Sequence, residues 1–165
     1  HLLWTAGEVC RERKFPLQAH VGVGDADILM HACDPTHFTP FIAAMDEWDV
    51  PITLLHSFPF MREACWLSEV FRNVYYDVGF TLNIAAPQSE TILAEALEMG
   101  KFSKMLYSSD AFGLPELYYL GAFLFRRAIS RVLDRWIAED FCSATDADEI
   151  VTLIAHGNSR RIYPM

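Results

Sequence analysis

The sequence predicts an α/β fold built on a parallel sheet, and two observations support this prediction. Strand-sized apolar runs recur four times along the 165 residues, with stretches of helical spacing between them. Each run also ends at or near a side chain that can bind a metal ion or move a proton. Alternation of strand and helix implies right-handed crossovers and parallel strands. Four such units make either half of an eight-stranded barrel or a small open sheet standing alone.

The first part of the chain is predicted to begin with a helix. Apolar residues recur at helical spacing as far as Cys10, and Pro16 prevents the helix from continuing. A turn rich in glycine and aspartate follows the first strand. The predicted order is helix 2–13, strand 17–21, helices 28–33 and 38–48, strand 52–56 and helix 61–71.

The second part continues the same alternation. Ser89 is a candidate N-cap for a helix that Gly100 would end, and Thr145 or Asp146 would cap the last helix. The predicted order is strand 74–77, a loop that includes Gly79, Asn83 and Pro87, helix 90–99, strand 104–108, helices 116–138 and 147–156, and a closing turn at 158–163. Since no Pro/Gly/Ser-rich linker divides the chain, we expect a single domain over residues 1–165.

Composition excludes several classes of partner. The net charge of −9 argues against nucleic acid and against an anionic membrane surface, since both attract clustered Lys and Arg. No apolar run reaches the roughly 18 residues of a membrane span. The four cysteines are widely spaced and form no CxxC, so we expect reduced thiols in a cytoplasmic protein. The chain starts at His1 inside an apparent helix, which indicates a fragment.

Three side chains at strand ends are the candidate site. His20 and His56 close the first two strands, and Asp110 follows the fourth. The carboxyl ends of parallel strands lie on one face, where α/β enzymes place their chemistry. Imidazole and carboxylate ligands suit a divalent metal, and the carboxylate can also accept a proton. Taken singly, each residue could instead be a satisfied core, loop or cap residue, so the prediction depends on their occurring together.

Two further residues have competing interpretations. Asp77 ends the third strand and is either a site residue or a satisfied loop carboxylate. Arg62 could meet an anionic substrate group, or it could pair with Glu63 or Glu69 on the surface.

Several segments together resemble a known family. They are Leu17-Gln-Ala-His-Val-Gly22, Leu54-Leu-His-Ser-Phe-Pro-Phe-Met-Arg-Glu-Ala64, Asn73-Val-Tyr-Tyr-Asp77, Ser108-Ser-Asp-Ala111 and Pro115-Glu116. In this order they resemble the amidohydrolase superfamily, in its amidohydrolase-related (family 2) branch of metal-dependent hydrolases with a TIM barrel. The likeness runs from about Phe15 to Tyr163.

The resemblance implies that the chain is the C-terminal half of a (β/α)8 barrel. It also implies that His20 binds a metal, that His56 binds metal or contacts substrate and water, and that Asp110 binds metal and shuttles a proton. Beside these three, we expect Arg62, Asp77 and Glu116 to contact substrate. The cofactor would be a divalent metal, with zinc favoured and manganese, iron or nickel also compatible.

The resemblance also has a gap. The family's first-strand His-x-His pair and its fourth-strand bridging residue have no counterpart here, so we expect the fragment to be inactive alone. Its partners would be a small-molecule substrate, the missing N-terminal half of the barrel, or another copy that pairs with the open half-barrel.

Three functional readings follow. The first is hydrolysis of an amide or related C–N bond by metal-activated water. Some relatives carry out non-oxidative decarboxylation instead. The second reading is a non-catalytic amidohydrolase-like module used in regulation or assembly, and the third is an unrelated small α/β binding domain.

Overall fold

Four parallel strands lie side by side in the order in which the chain forms them. The computed structural model describes residues 1–164, so the predicted domain end at Met165 lies outside the described residues. The strands are β1 Leu17–Val21, β2 Ile52–His56, β3 Val74–Asp77 and β4 Met105–Leu106. They pair β1-β2-β3-β4, and every pair is parallel. The predicted parallel sheet is confirmed.

Eight α-helices accompany the strands in the described part of the chain. They are α1 Leu2–Arg13, α2 Thr39–Glu47, α3 Met61–Val70, α4 Thr81–Ile84, α5 Ser89–Ala96, α6 Pro115–Ala138, α7 Ala144–Thr152 and α8 Asn158–Ile162. Shorter turns of 3₁₀ helix occupy Met30–Ala32, Pro35–Phe38 and Ala86–Gln88, and a π-helical turn occupies Leu153–Gly157.

The strand order never reverses, and this decides where the helices lie. With right-handed crossovers and no reversal, the connecting helices stay on one face of the sheet, as they do in a barrel. Along the strands, Ile52, Leu54, Val74 and Tyr76 are fully buried in the main core, which includes side chains of α2, α3, α5 and α6. The alternate residues face the other side, which would be the inside of a barrel.

The last turn of the described chain covers part of that inner face. Ile162 forms a small cluster with Tyr75 and Leu106, against which Tyr163 packs. The Tyr163 hydroxyl accepts a hydrogen bond of 2.7 Å from Gln18 Nε2. The inner face therefore has a floor at the end opposite the strand carboxyl ends.

The fourth strand is shorter than predicted. It was expected over 104–108, but only Met105–Leu106 is strand. The Tyr107 amide donates to the Ile154 carbonyl (3.0 Å) instead of continuing the ladder to β3. The π-helical turn thus ends the strand early.

Several other predicted boundaries were wrong. The predicted 28–33 helix is only the 3₁₀ turn Met30–Ala32, and the predicted loop with Gly79, Asn83 and Pro87 contains α4. Ser89 is the first residue of α5 and not its cap, and α5 ends at Ala96, before Gly100. The closing turn is α8, because the π-helical turn carries the helical direction onward from α7.

The cap of α7 is Ser143, and neither predicted residue caps it. Ser143 Oγ accepts from the Asp146 amide while the Asp146 carboxylate accepts from the Ser143 amide (2.9 Å), which is a capping box. Asp146 therefore belongs to the capping box as the third residue of the helix, and Ser143 is the cap itself.

Cys10, Cys33, Cys65 and Cys142 are all free thiols. Within residues 1–164, no helix is both long enough and apolar enough to cross a membrane.

Candidate metal centre

His20 and His56 come together across the first two strands. In the register, His20 lies opposite Leu55 and Val21 lies opposite His56. A regular strand would point His56 to the face opposite that of His20 and Leu55. His56 and Ser57 instead have φ values of 71° and 60°, which end the strand conformation. The two imidazole rings lie edge to face with their centres 4.5 Å apart.

The His56 ring is buried and held by its surroundings. Its side chain is only 4% exposed, and Phe80 packs edge-on against it, with ring centres 5.8 Å apart. Nδ1 lies 3.2 Å from the carbonyl oxygen of Gly79. Since a carbonyl only accepts, Nδ1 carries the proton in the neutral ring and the Nε2 lone pair is free. A metal-binding histidine commonly has this arrangement.

Asp110 faces that free nitrogen. Its Oδ2 lies 3.8 Å from His56 Nε2, and the side chain is 44% exposed. Asp110 follows the short strand β4 and has a φ of 49°, so the chain turns as it leaves the sheet. The Asp110 carboxylate therefore lies between the buried His56 imidazole and solvent.

His20 is the exposed member of the group. Its Nε2 is hydrogen-bonded to the Val23 carbonyl. The proton in the neutral ring is accordingly on Nε2, and Nδ1 is the nitrogen with a lone pair for a ligand.

The three residues fit a divalent ion in chemistry, and one pair of them also fits it in spacing. Two imidazoles with fixed tautomers and one carboxylate are the donors of many three-ligand zinc sites. Ligand atoms each about 2 Å from one ion lie roughly 3–4 Å apart, and the His56–Asp110 separation is 3.8 Å. Within residues 1–164, however, the contacts are pairwise, and no three His, Cys, Asp or Glu side chains form a ready cluster.

Asp77 lies deeper than the other candidates. It is 2% exposed, and its Oδ1 accepts from the backbone amides of His56 (2.7 Å) and Gly79 (3.0 Å). Burial raises the pKa of the Asp77 carboxyl, and the His56 amide is the largest influence that opposes this rise. Asp77, His56 and Asp110 line one cavity of about 270 Å³. Of the two sequence interpretations of Asp77, the satisfied carboxylate describes its Oδ1.

Arg62 and Glu116 lie outside that cavity. Arg62 is 64% exposed and pairs with Glu98 (2.8 Å) and Glu95 (3.5 Å) on α5, so the predicted surface partners Glu63 and Glu69 were wrong. Glu116 is exposed in the first turn of α6. Their substrate roles stay predictions.

A larger cavity lies away from these residues. It has a volume of about 590 Å³ and lies between α6 and α7. Its walls are mainly apolar and include Phe125, Ile129 and Leu133. None of the three candidate ligands lines it. His56 and Asp110 line the smaller cavity, whereas His20 lines a separate one of about 380 Å³.

Sequence reasoning missed the residues that support His56. Gly79 supplies its hydrogen-bond acceptor and Phe80 its packing, yet both fell in a predicted loop. Phe80 has a φ of 62°, which is rare for a bulky residue. With His56, Ser57 and Asp110 it makes four left-handed non-glycine residues around one site, and such residues cluster where surrounding structure holds a functional geometry. Gly79, two residues after Asp77, was the one available sign of a special backbone conformation there.

Comparison with known proteins identifies the family. The model of the family described as Amidohydrolase matches residues 1–165. The chain belongs to the amidohydrolase family. Among curated proteins, this amidohydrolase chain is 34% identical over 165 residues to protein fluG of Emericella nidulans, covering 99% of this chain and 19% of that protein.

Solved structures support the same fold. One match is a crystal structure from Lactobacillus casei, named as that of a proposed metal-dependent hydrolase. It has a TM-score of 0.91 and 28% identity, and it covers 98% of this chain and 42% of that one. Uronate isomerase from Thermotoga maritima matches with a TM-score of 0.71 and 15% identity, covering 96% of this chain and 39% of that one, a likeness of fold alone. The amidohydrolase chain therefore spans less than half of each relative, and its four strands correspond to half of a TIM barrel.

Proposed function

We propose that this chain carries part of the active site of a metal-dependent hydrolase, in which His20, His56 and Asp110 hold a divalent ion. The observation that carries the proposal is the pair of contacts that His56 makes, with His20 on one side and with Asp110 on the other, at the carboxyl edge of the sheet. The His56 ring lies 4.5 Å from that of His20, and its Nε2 lies 3.8 Å from Asp110 Oδ2. The reaction would be hydrolysis of an amide or related C–N bond.

The metal is proposed from the donor set. Two imidazoles and one carboxylate favour zinc and also accept manganese, iron or nickel. When bound, such an ion supplies a Lewis acid that makes water nucleophilic near neutral pH.

Each residue then has a separate role. His56 presents Nε2 because its Nδ1 is held by the Gly79 carbonyl. His20 presents Nδ1 because its Nε2 is held by the Val23 carbonyl. Asp110 is the proton acceptor, since its partly exposed carboxylate can take a proton from water and return it to the leaving group.

The rest of the pocket would come from outside these four strands. The matched structure from Lactobacillus casei extends well beyond the region that this chain covers. We infer that the other half of the barrel supplies the opposite wall and that the chain alone is inactive. Pairing with a second copy through the open edges is the alternative source. The substrate would be a small molecule, with Arg62 and Glu116 as the exposed candidates for contacting it. A cytoplasmic location stays a prediction from the cysteine pattern.

The test compares Asp110→Asn with Asp134→Asn in the protein at its natural length. Both variants replace one carboxylate by an amide, but Asp134 lies on α6 and contacts Ser130. After removal and return of zinc, a panel of simple amides and lactams is assayed for hydrolysis, and aromatic carboxylic acids are assayed for release of carbon dioxide.

Zinc-dependent hydrolysis is expected, with kcat of Asp110→Asn lower by roughly 10²–10⁴-fold and kcat of Asp134→Asn unchanged. Release of carbon dioxide without hydrolysis would overturn the hydrolase proposal and show that the protein is a decarboxylase. Wild-type kcat in Asp110→Asn would overturn the role of Asp110. A protein that binds no zinc and turns over nothing would support the non-catalytic module.

A further inference from the structure

One oxygen of Asp77 holds the two backbone segments that meet at His56. Oδ1 accepts from the amide of His56 (2.7 Å), at the end of β2, and from the amide of Gly79 (3.0 Å), just after β3. The carboxylate thereby ties the end of one strand to the turn that follows its neighbour.

The tie extends to the imidazole ring. Gly79, whose amide is held by Asp77, offers its carbonyl oxygen to His56 Nδ1 at 3.2 Å. The His56 backbone and the acceptor of its ring proton are therefore both positioned by the same carboxylate oxygen. The ring cannot shift relative to its acceptor unless at least one of these hydrogen bonds lengthens.

The backbone conformation makes such a tie necessary. His56 and Phe80 have φ values of 71° and 62°, and Phe80 has a ψ of −53°. Residues in such conformations persist only where the surrounding structure holds them. The Thr81 amide donates to the Gly79 carbonyl (2.6 Å), so the turn at Phe80 also fixes the direction of that oxygen.

We propose that Asp77 is a positioning residue, which fixes the tautomer and direction of the His56 ring so that Nε2 is the nitrogen available to a divalent cation. The importance of that nitrogen rests on the proposed function, whereas the tautomer itself does not. Because Oδ1 already accepts two amides and the side chain is buried, this role differs from the substrate contact expected from the sequence.

The variants separate an acceptor from a charge. Asp77→Asn keeps an oxygen for both amides and removes the negative charge. Asp77→Ala removes the acceptor. Asp146→Ala is the matched control, since it also deletes a carboxylate that accepts from a backbone amide (2.9 Å), at the distant cap of α7.

The first measurement is ¹⁵N NMR of the imidazole nitrogens in the metal-free protein, at a pH where the rings are neutral. The wild type, Asp77→Asn and Asp146→Ala are expected to show His56 with the proton on Nδ1. Asp77→Ala is expected to show a mixture of both tautomers. If Asp77→Ala does not fold, Asp77→Glu, which displaces the acceptor by one methylene, takes its place with the same expectation.

The second measurement is the affinity for Zn²⁺. Loss of a group that orients a metal ligand typically costs 10–100-fold, so Asp77→Ala should bind zinc about 10–100-fold more weakly while Asp77→Asn keeps wild-type affinity. A wild-type tautomer in Asp77→Ala, or a lost tautomer in Asp77→Asn, would overturn the proposal. A wild type with the Nδ1 proton but no zinc affinity would count against the proposed function alone.

Discussion

Gly79 leaves no room for a side chain beside Ser108. A Cβ on Gly79 would overlap Ser108 Oγ and would lie 3.2 Å from Ser108 Cβ. Since the carbonyl of the same glycine accepts from His56 Nδ1, close packing of β3 against the end of β4 sets the place of that acceptor. The identity of residue 79 therefore bears on both stability and the site.

Replacing Gly79 by Ala should destabilise the protein through this overlap. Overpacking a filled site typically costs 1–3 kcal/mol, so we expect a loss of about that size in the free energy of unfolding. Adding Ser108→Ala removes Oγ and should restore part of the loss, as urea unfolding of the double-mutant cycle would show. Strict additivity of the two changes would contradict the packing argument. As a control, Gly113→Ala meets no atom within 4 Å, so Ser108→Ala should not rescue it.

Asn158, the first residue of α8, ties that helix to the start of β4. Its fully buried side chain donates to the carbonyls of Phe102 and Met105, both at 2.7 Å. Asn158→Ala would leave two carbonyl acceptors without this donor. Each unsatisfied buried group costs about 1–3 kcal/mol of stability. We expect a loss of about 2–4 kcal/mol in thermal or urea unfolding. Gln88→Ala, at an exposed position, serves as the control, with little change expected. A loss below 1 kcal/mol in Asn158→Ala would contradict this account.

Lys104 gives the protein a pH-dependent stability. The side chain is 9% exposed, its ammonium donates to the Arg72 carbonyl, and it lies 4.5 Å from the centre of the Tyr75 ring. Burial, with the nearby charges of Lys101 and Arg161, lowers the Lys104 pKa from 10.5 to about 8. Between these values the unfolded chain binds more protons, so the free energy of unfolding rises with pH, by about 3 kcal/mol at most.

Urea unfolding between pH 7.5 and 10.5 checks this sign. Lys104→Met should lose the rise that Lys104 contributes, whereas Lys14→Met, at an exposed position, should keep it. Parallel curves for the wild type and Lys104→Met would contradict the assignment to Lys104.

Cys65 should be inert while the protein is folded. It is fully buried, its thiol donates to the Ala96 carbonyl (3.3 Å), and burial raises the pKa of the thiol to about 11. Thiolates are the reactive form, so at pH 8 a thiol reagent should modify the partly exposed Cys33 and Cys142 first. Cys65→Ala should leave the fast-reacting count unchanged and lower the count after denaturation by one. Loss of a fast thiol in Cys65→Ala would show that Cys65 is accessible.

The elements that the sequence predicted well are those with a strong local signal. Strand β2 is a continuous apolar run that ends at His56, and the structure ends it there. Helix α6 keeps helical spacing over 24 residues, and its start was missed by only one residue. Four such runs in order were enough to predict parallel pairing.

The parts that were missed depend on contacts between distant residues. Strand β4 stops at Leu106 because the Tyr107 amide bonds to Ile154, far along the chain. The support of His56 depends on left-handed conformations at His56 and Phe80. These conformations could not be predicted, because neither residue type favours them. The candidate ligands could be proposed from strand ends, but their ring tautomers required the carbonyls of Val23 and Gly79.

The most direct test of the account is calorimetric titration of Zn²⁺ into the metal-stripped protein at its natural length. Wild type and His156→Ala, which changes an exposed histidine on the π-helical turn, should bind with equal affinity. His20→Ala, His56→Ala and Asp110→Ala should each bind at least about 10-fold more weakly, because each would remove one proposed ligand. Wild-type affinity in all three variants would contradict the claim that these strand ends hold a metal.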